Sequence, residues 1–376
     1  MRHLLRFLAP MLAAAVAGCA SSGPPQGITP YQPSPGMAAV LQERLNMRAV
    51  DPASVTVARA REVPNLIAAM QAMPNVRGLP ADSPGVPVVR PLTARGADGA
   101  LPARLYQPQS QRQNANGVPL LIYFPGDTWV TGGLNDYDES LRQLAARTGW
   151  VVVGIGPRHA PDVTFPAIHD DAFAAYLWAR SHAKEWGADP TRIALAGESA
   201  GANLALSTAL LARQRLAPMP NHLLLITPLA GTGLSSASMN ESGRSRPLTR
   251  RTVAWAQQRY TTAGRQLLDP RLNLLSRPDL AGMPPTTIVL AEIDPLRSDG
   301  EALAARLQAA GVRTNFRMFP GTAHDFFGLG ERVTEAAAAE NYAADNLKAA
   351  LQPPPPARPH RPARRRAVRR AHWLAK

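Results

Sequence analysis

The segment Arg192-Ile193-Ala194-Leu195-Ala196-Gly197-Glu198-Ser199-Ala200-Gly201-Ala202-Asn203-Leu204 constrains this chain more than any other. A short apolar run meets Gly-x-Ser-x-Gly, and a run rich in alanine and leucine follows. That order spells strand, tight turn and helix, with the serine hydroxyl held out of the sheet at the turn. Gly197 and Gly201 lack a Cβ, so strand and helix can close around a strained residue between them. Ser199 falls at the helix N-terminus, where free N–H groups and the dipole favour developing negative charge. Alone, the pattern is weak in a chain with 28 glycines. Its meaning depends on what comes later.

A serine placed in this way works with an acid and then a histidine, each at the end of a strand. Thr286-Thr287-Ile288-Val289-Leu290 reads as a buried strand that runs into Ala291-Glu292-Ile293-Asp294-Pro295-Leu296. Asp294 therefore falls at the carboxyl edge of a sheet, where open α/β folds collect their reactive groups. A helix is expected from about Ser298 to Ala310, with Leu303 and Leu307 at i, i+4 spacing and Gly311 as its stop. Val312 to Phe319 reads as the next strand, and a turn through Pro320-Gly321-Thr322-Ala323 delivers His324. Ser199, Asp294 and His324 thus stand in the order of a nucleophile, acid and base. Asp299 is the rival acid, but it lies in the first turn of a helix, where aspartate is common for dipole reasons alone. The other seven histidines (His3, His159, His169, His182, His222, His360 and His372) lack this placement and read as solvated side chains.

The remaining pattern supports one large α/β domain. Pro87 to Arg95 and Ala100 to Gln107 read as a leading hairpin around Gly96-Ala97-Asp98-Gly99. Further strands are expected at Val118 to Phe124, Trp150 to Gly156, Arg192 to Ala196, Leu223 to Thr227 and Pro285 to Leu290. Helical stretches between them give βαβ crossovers and a mostly parallel, doubly wound sheet. Met37, Val40, Leu41 and Leu45 share a helical face, and Val63, Leu66, Ile67 and Met70 mark a second. With Leu248, Val253, Trp255 and Tyr260 they are assigned to a small helical cap, from about 37–80 and 240–275.

Several motifs together carry a family resemblance. Gly197 to Leu204, the Asp294-Pro295-Leu296 loop and His324-Asp325-Phe326-Phe327-Gly328 match in order. So do Pro157-Arg158-His159-Ala160-Pro161-Asp162 with Phe165-Pro166-Ala167, and Asp189-Pro190-Thr191-Arg192-Ile193. From about Met37 to Leu351 the chain resembles the hormone-sensitive-lipase-like (family IV) branch of bacterial α/β-hydrolase esterases. The resemblance implies an α/β-hydrolase fold with a helical cap and a serine carboxylesterase acting on short acyl chains. The family binds its oxyanion with a His-Gly-Gly-Gly-aromatic loop. Here that stretch is Pro125-Gly126-Asp127-Thr128-Trp129, in which only Gly126 and Trp129 keep the pattern. Gly126, Asp127, Thr128 and Ala200 are the expected oxyanion-hole residues, since backbone donors survive a side-chain change. Residues with a Cβ disfavour φ > 0, however, and a carboxylate at Asp127 stands to repel an oxyanion. A degenerate hydrolase with a binding or scaffolding role, and a deacetylase or lactonase using the same triad, are the alternatives. No cofactor or metal is expected, because no His, Cys and carboxylate cluster has ligand spacing.

The two ends of the chain speak to location. Arg2 and Arg6 precede a short apolar core from Phe7 to Ala17, too short to span a bilayer, and Val16-Ala17-Gly18-Cys19 follows. This resembles a lipoprotein signal peptide over residues 1–18. It implies lipid on Cys19 and export to the periplasmic side of the cell membrane or the outer membrane, with Ala20 after the cysteine pointing toward the outer membrane. Cys19 is the only cysteine, so no disulfide forms within the chain. Residues 19–36 read as a tether rich in Ser, Gly and Pro. Residues 352–376 begin with four prolines and then hold Arg358, Arg361, Arg364, Arg365, Arg366, Arg369, Arg370 and Lys376 with no acid. That tail supplies more than half of the formal charge of +14, leaving the body only mildly basic. An anionic surface, with Trp373 and Leu374 at the interface, is its expected partner, and nucleic acid is not, given export. The partners expected overall are a small-molecule ester, the bilayer through Cys19, and that surface.

Overall fold

The computed structural model describes residues 31–75, 87–108 and 117–351. The leader with Cys19, all but the end of the tether, and the basic tail lie outside the described residues. Eight strands form one sheet: β1 (Pro87–Arg95), β2 (Ala100–Pro108), β3 (Val118–Phe124), β4 (Val151–Ile155), β5 (Ala188–Glu198), β6 (His222–Ile226), β7 (Thr286–Ile293) and β8 (Thr314–Ala323). Their order is β1-β2-β4-β3-β5-β6-β7-β8. The β1–β2 hairpin and β2–β4 are antiparallel, and every other pair is parallel. The expected mostly parallel α/β sheet is therefore the observed one.

Alternation along β3 shows how the sheet divides the interior. Leu120, Ile122 and Phe124 face one apolar layer, while Leu121 and Tyr123 face the other. Helices α5 (Ala167–His182), α6 (Ala200–Gln214) and α9 (Arg297–Ala309) fill the first layer with residues such as Phe173, Leu204 and Leu307. Helices α4 (Asp138–Thr148) and α10 (Thr334–Leu351) fill the second with Leu141, Leu144, Ala339 and Leu347. None of the described helices is long and apolar enough to cross a membrane.

Two distant segments lie over the carboxyl edge. The first holds α1 (Pro35–Asn46), α2 (Val57–Ala60) and α3 (Leu66–Ala72); the second holds α7 (Ala237–Ser242) and α8 (Arg250–Tyr260). Asp51 joins them, its two carboxylate oxygens accepting the hydroxyls of Thr249 at 3.0 Å and Thr252 at 2.9 Å. Met37, Val40, Leu66, Ile67 and Met70 pack into the α4/α10 layer, so these faces serve the core as well as the cover. One expectation fails: Leu45, placed on the buried face of α1, is 54% exposed, while Arg44 beside it is 4% exposed.

Candidate active site

Ser199 follows the last residue of β5 and precedes α6, with φ 53° and ψ −118°. A non-glycine residue there is strained, and neighbouring glycines let the turn close around it. A Cβ on Gly197 would run into the carbonyl of Gly201, and one on Gly201 into the carbonyl of Phe124. The helix N-terminus is thus pressed against the end of β3, where the altered loop begins.

Asp294 lies just past β7, and the Leu296 N–H donates to its Oδ1 at 2.8 Å. Its Oδ2 is 2.9 Å from His324 Nδ1, and His324 Nε2 is 3.0 Å from Ser199 Oγ. With Nδ1–H donating to the Asp294 carboxylate, Nε2 is left to accept from the serine hydroxyl. All three residues are buried. Burial opposes charge on the imidazole, but the Asp294 and Asp325 carboxylates outweigh it and hold His324 above the usual histidine range. Asp299 does not reach this chain; its Oδ2 accepts the Gly231 N–H at 2.8 Å, and burial raises it to about 6.

The loop after β3 keeps a left-handed path without its glycines. Asp127, Thr128 and Trp129 have φ of 66°, 55° and 63°. Among the described residues no acceptor pairs with the N–H of Asp127 or Thr128. Gly126 has a separate reason to be glycine, since a Cβ there would collide with the carbonyl of Glu198 and crowd the Tyr137 hydroxyl. Trp129 stacks on Tyr260 of α8 at 5.1 Å, which ties the loop to the overlying helices.

Side chains that sequence reasoning missed surround this centre. His169 is buried, not solvated: its ring nitrogens meet Tyr260 Oη at 2.8 Å and Asn203 Oδ1 at 2.9 Å. His222 is likewise buried, against Thr287 Oγ1 at 3.0 Å, but it opens β6 opposite Ala194, at the other end of the strands from the triad. Glu198 is fully buried, accepts from Tyr123 Oη at 3.2 Å, and is held well above the usual carboxylate range by burial and by Asp325. Asp325 Oδ1 lies 3.5 Å from His324 Nε2. Asp127 and Asp325 together line two small cavities, of about 20 and 40 Å³, beside the histidine. Burial and then Asp325 raise Asp127 to about 7. The acids were legible only one at a time, because segments at least 71 positions apart bring them together. Among the described residues no group of three His, Cys or carboxylate side chains is placed to hold a metal.

The domain that carries this Ser–His–Asp chain is similar to known proteins. Residues 121–328 match the family model of the alpha/beta hydrolase fold. An ethyl acetate hydrolase of Pseudomonas putida is 35% identical over 258 residues, covering 68% of this chain and 80% of that protein. The carboxylic ester hydrolase LipN of Mycobacterium tuberculosis is 34% identical over 269 residues, 70% of each chain. Among solved structures, a thermostable esterase from Pseudomonas putida superposes with a TM-score of 0.76 at 27% identity, covering 89% of this chain and 100% of that one. With the triad order, the sheet and these relatives in agreement, the chain belongs to the α/β-hydrolase family, in its hormone-sensitive-lipase-like esterase branch.

Proposed function

We propose that the esterase activity of this chain runs through Ser199, with His324 as general base and Asp294 as the group that orients the imidazole. Ser199 Oγ attacks the ester carbonyl as His324 Nε2 takes its proton, and the carbonyl oxygen becomes an oxyanion. The N–H groups of Asp127, Thr128 and Ala200 receive that charge. The C–O bond to the alcohol then breaks, Nε2 protonates the departing oxygen, and an acyl-serine remains. Water attacks the acyl-serine by the same proton path reversed, releasing the acid and restoring the serine. The observation that carries this reading is the buried chain of 3.0 and 2.9 Å contacts from Ser199 through His324 to Asp294, set on a strained turn. Its completeness, with the loop N–H groups still free, favours a working enzyme over a degraded fold kept for binding. The ethyl acetate hydrolase among the relatives supports a short acyl group. The test is hydrolysis of 4-nitrophenyl esters from acetyl to decanoyl. The expected profile peaks at short chains and disappears in Ser199→Ala; full turnover by that variant would remove Ser199 from the mechanism.

Residues 1–36 support a second part of the proposal: the domain is a lipoprotein, held to a membrane through Cys19 and facing the periplasm. The short apolar core, the small residues before Cys19 and the Ser/Gly/Pro-rich stretch after it support this. The basic tail then lies near an anionic surface. In the native host, a clickable fatty acid should label the wild type and not Cys19→Ser. An unlabelled wild type would overturn the anchor without touching the enzyme.

A further inference from the structure

Helix α1 buries the wrong residue by ordinary rules. Arg44 is 4% exposed and its neighbour Leu45 is 54% exposed. A buried guanidinium is costly unless a close anion compensates it. Arg44 has no such partner: its Nε donates to the Pro64 carbonyl at 2.8 Å, and among the described residues no carboxylate lies within the 4.0 Å of an ion pair. Arg44 instead lines the 40 Å³ cavity together with Asp127, Asp325, Leu66, Leu248 and Thr252.

The two carboxylates on that wall are a problem for the reaction. Asp127 belongs to the loop whose N–H groups meet the oxyanion, and Asp325 Oδ1 is 3.5 Å from His324 Nε2, the nitrogen that takes the serine proton. An oxyanion forming near them meets like charge in a water-poor space, where electrostatic effects are strong. Arg44 is the guanidinium that shares their cavity. It comes from an overlying helix and not from the core that supplies the triad.

We propose that Arg44 is a positioning residue for ester hydrolysis: its guanidinium offsets the Asp127 and Asp325 carboxylates, so the oxyanion forms beside a nearly neutral wall. The role rests on the esterase reading above. It explains how a loop with aspartate in place of glycine stays compatible with the chemistry. It also explains why α1 turns an arginine inward and a leucine outward.

The test is a double-mutant cycle on 4-nitrophenyl acetate with Arg44→Met, Asp127→Asn and the pair, alongside Arg44→Lys. Asparagine keeps the shape of aspartate and tolerates φ > 0, so it removes the charge and not the loop path. Assays are run at about pH 8, where Asp127 is ionised. Arg44→Met should lower kcat by about tenfold or more with KM within about twofold, while Arg44→Lys stays within about threefold of wild type. Adding Asp127→Asn to Arg44→Met should recover about tenfold, a larger gain than the same change gives in the native background. Equal effects of Asp127→Asn in both backgrounds, or Arg44→Lys as impaired as Arg44→Met, would overturn the proposal. If Arg44→Met does not fold, Arg44→Gln takes its place in the cycle. A wild type that hydrolyses no ester would instead sink the esterase reading, so the two failures are distinct.

Discussion

Two of the histidines away from the triad show how strongly position governs a side chain. His222 is 4% exposed, with Nε2 on Thr287 and, among the described residues, no partner for Nδ1. Burial depresses it to about 4, and does the same to His169. In the unfolded chain each returns to the ordinary value near 6.5. Between these limits the unfolded state binds more protons, so the stability each neutral ring contributes is full above about pH 6.5 and drains as pH falls toward 4. The slope is about 1.4 kcal/mol per pH unit for each histidine. His222→Gln should therefore lose less stability than wild type on acidification, which urea unfolding at successive pH values measures. The raised carboxylates of Asp127 and Asp299 act in the opposite direction but are common to both proteins. Parallel pH dependence in the two would contradict the burial account. Nothing in the sequence around His222 marks it as buried beyond its place at the start of a strand, and that is why it read as solvated.

Elements were more legible than contacts. The hairpin Pro87–Arg95 with Ala100–Pro108 and strand Val118–Phe124 fall where their alternation and flanking turns place them. Strand β5 begins at Ala188, ahead of its apolar run, because Ala188 pairs with Val118. Strand β8 extends to Ala323, since Ala323 still pairs with Ile293 across a bulge. Such extensions come from neighbours, which local pattern does not encode. The nucleophile turn is the best-encoded element, because its glycines have a steric role that the structure makes explicit. Gly201→Ala drives a Cβ into the Phe124 carbonyl, with backbone on both sides. It should cost at least about 2 kcal/mol in urea unfolding and most of the turnover. A variant as stable and active as wild type would mean that helix and strand do not approach as closely as described.

At the scale of the whole molecule, periodicity predicted helices where α1, α3 and α8 lie, but not the seam between those segments. Asp51 reaches Thr249 across 198 positions of sequence, and no local pattern names that pair. The acid wall and the buried Arg44 have the same origin, since each depends on loops that only the fold brings together. Ser199, Asp294 and His324 were legible because their chemistry fixes both residue type and chain order. The central claim is that these three form one working nucleophilic device. Intact-mass and peptide mass spectrometry after treatment with a fluorophosphonate test it most directly. The account predicts one adduct per chain, on the peptide holding Ser199, and none in Ser199→Ala. An unmodified wild type, or an adduct that persists in Ser199→Ala, would contradict it.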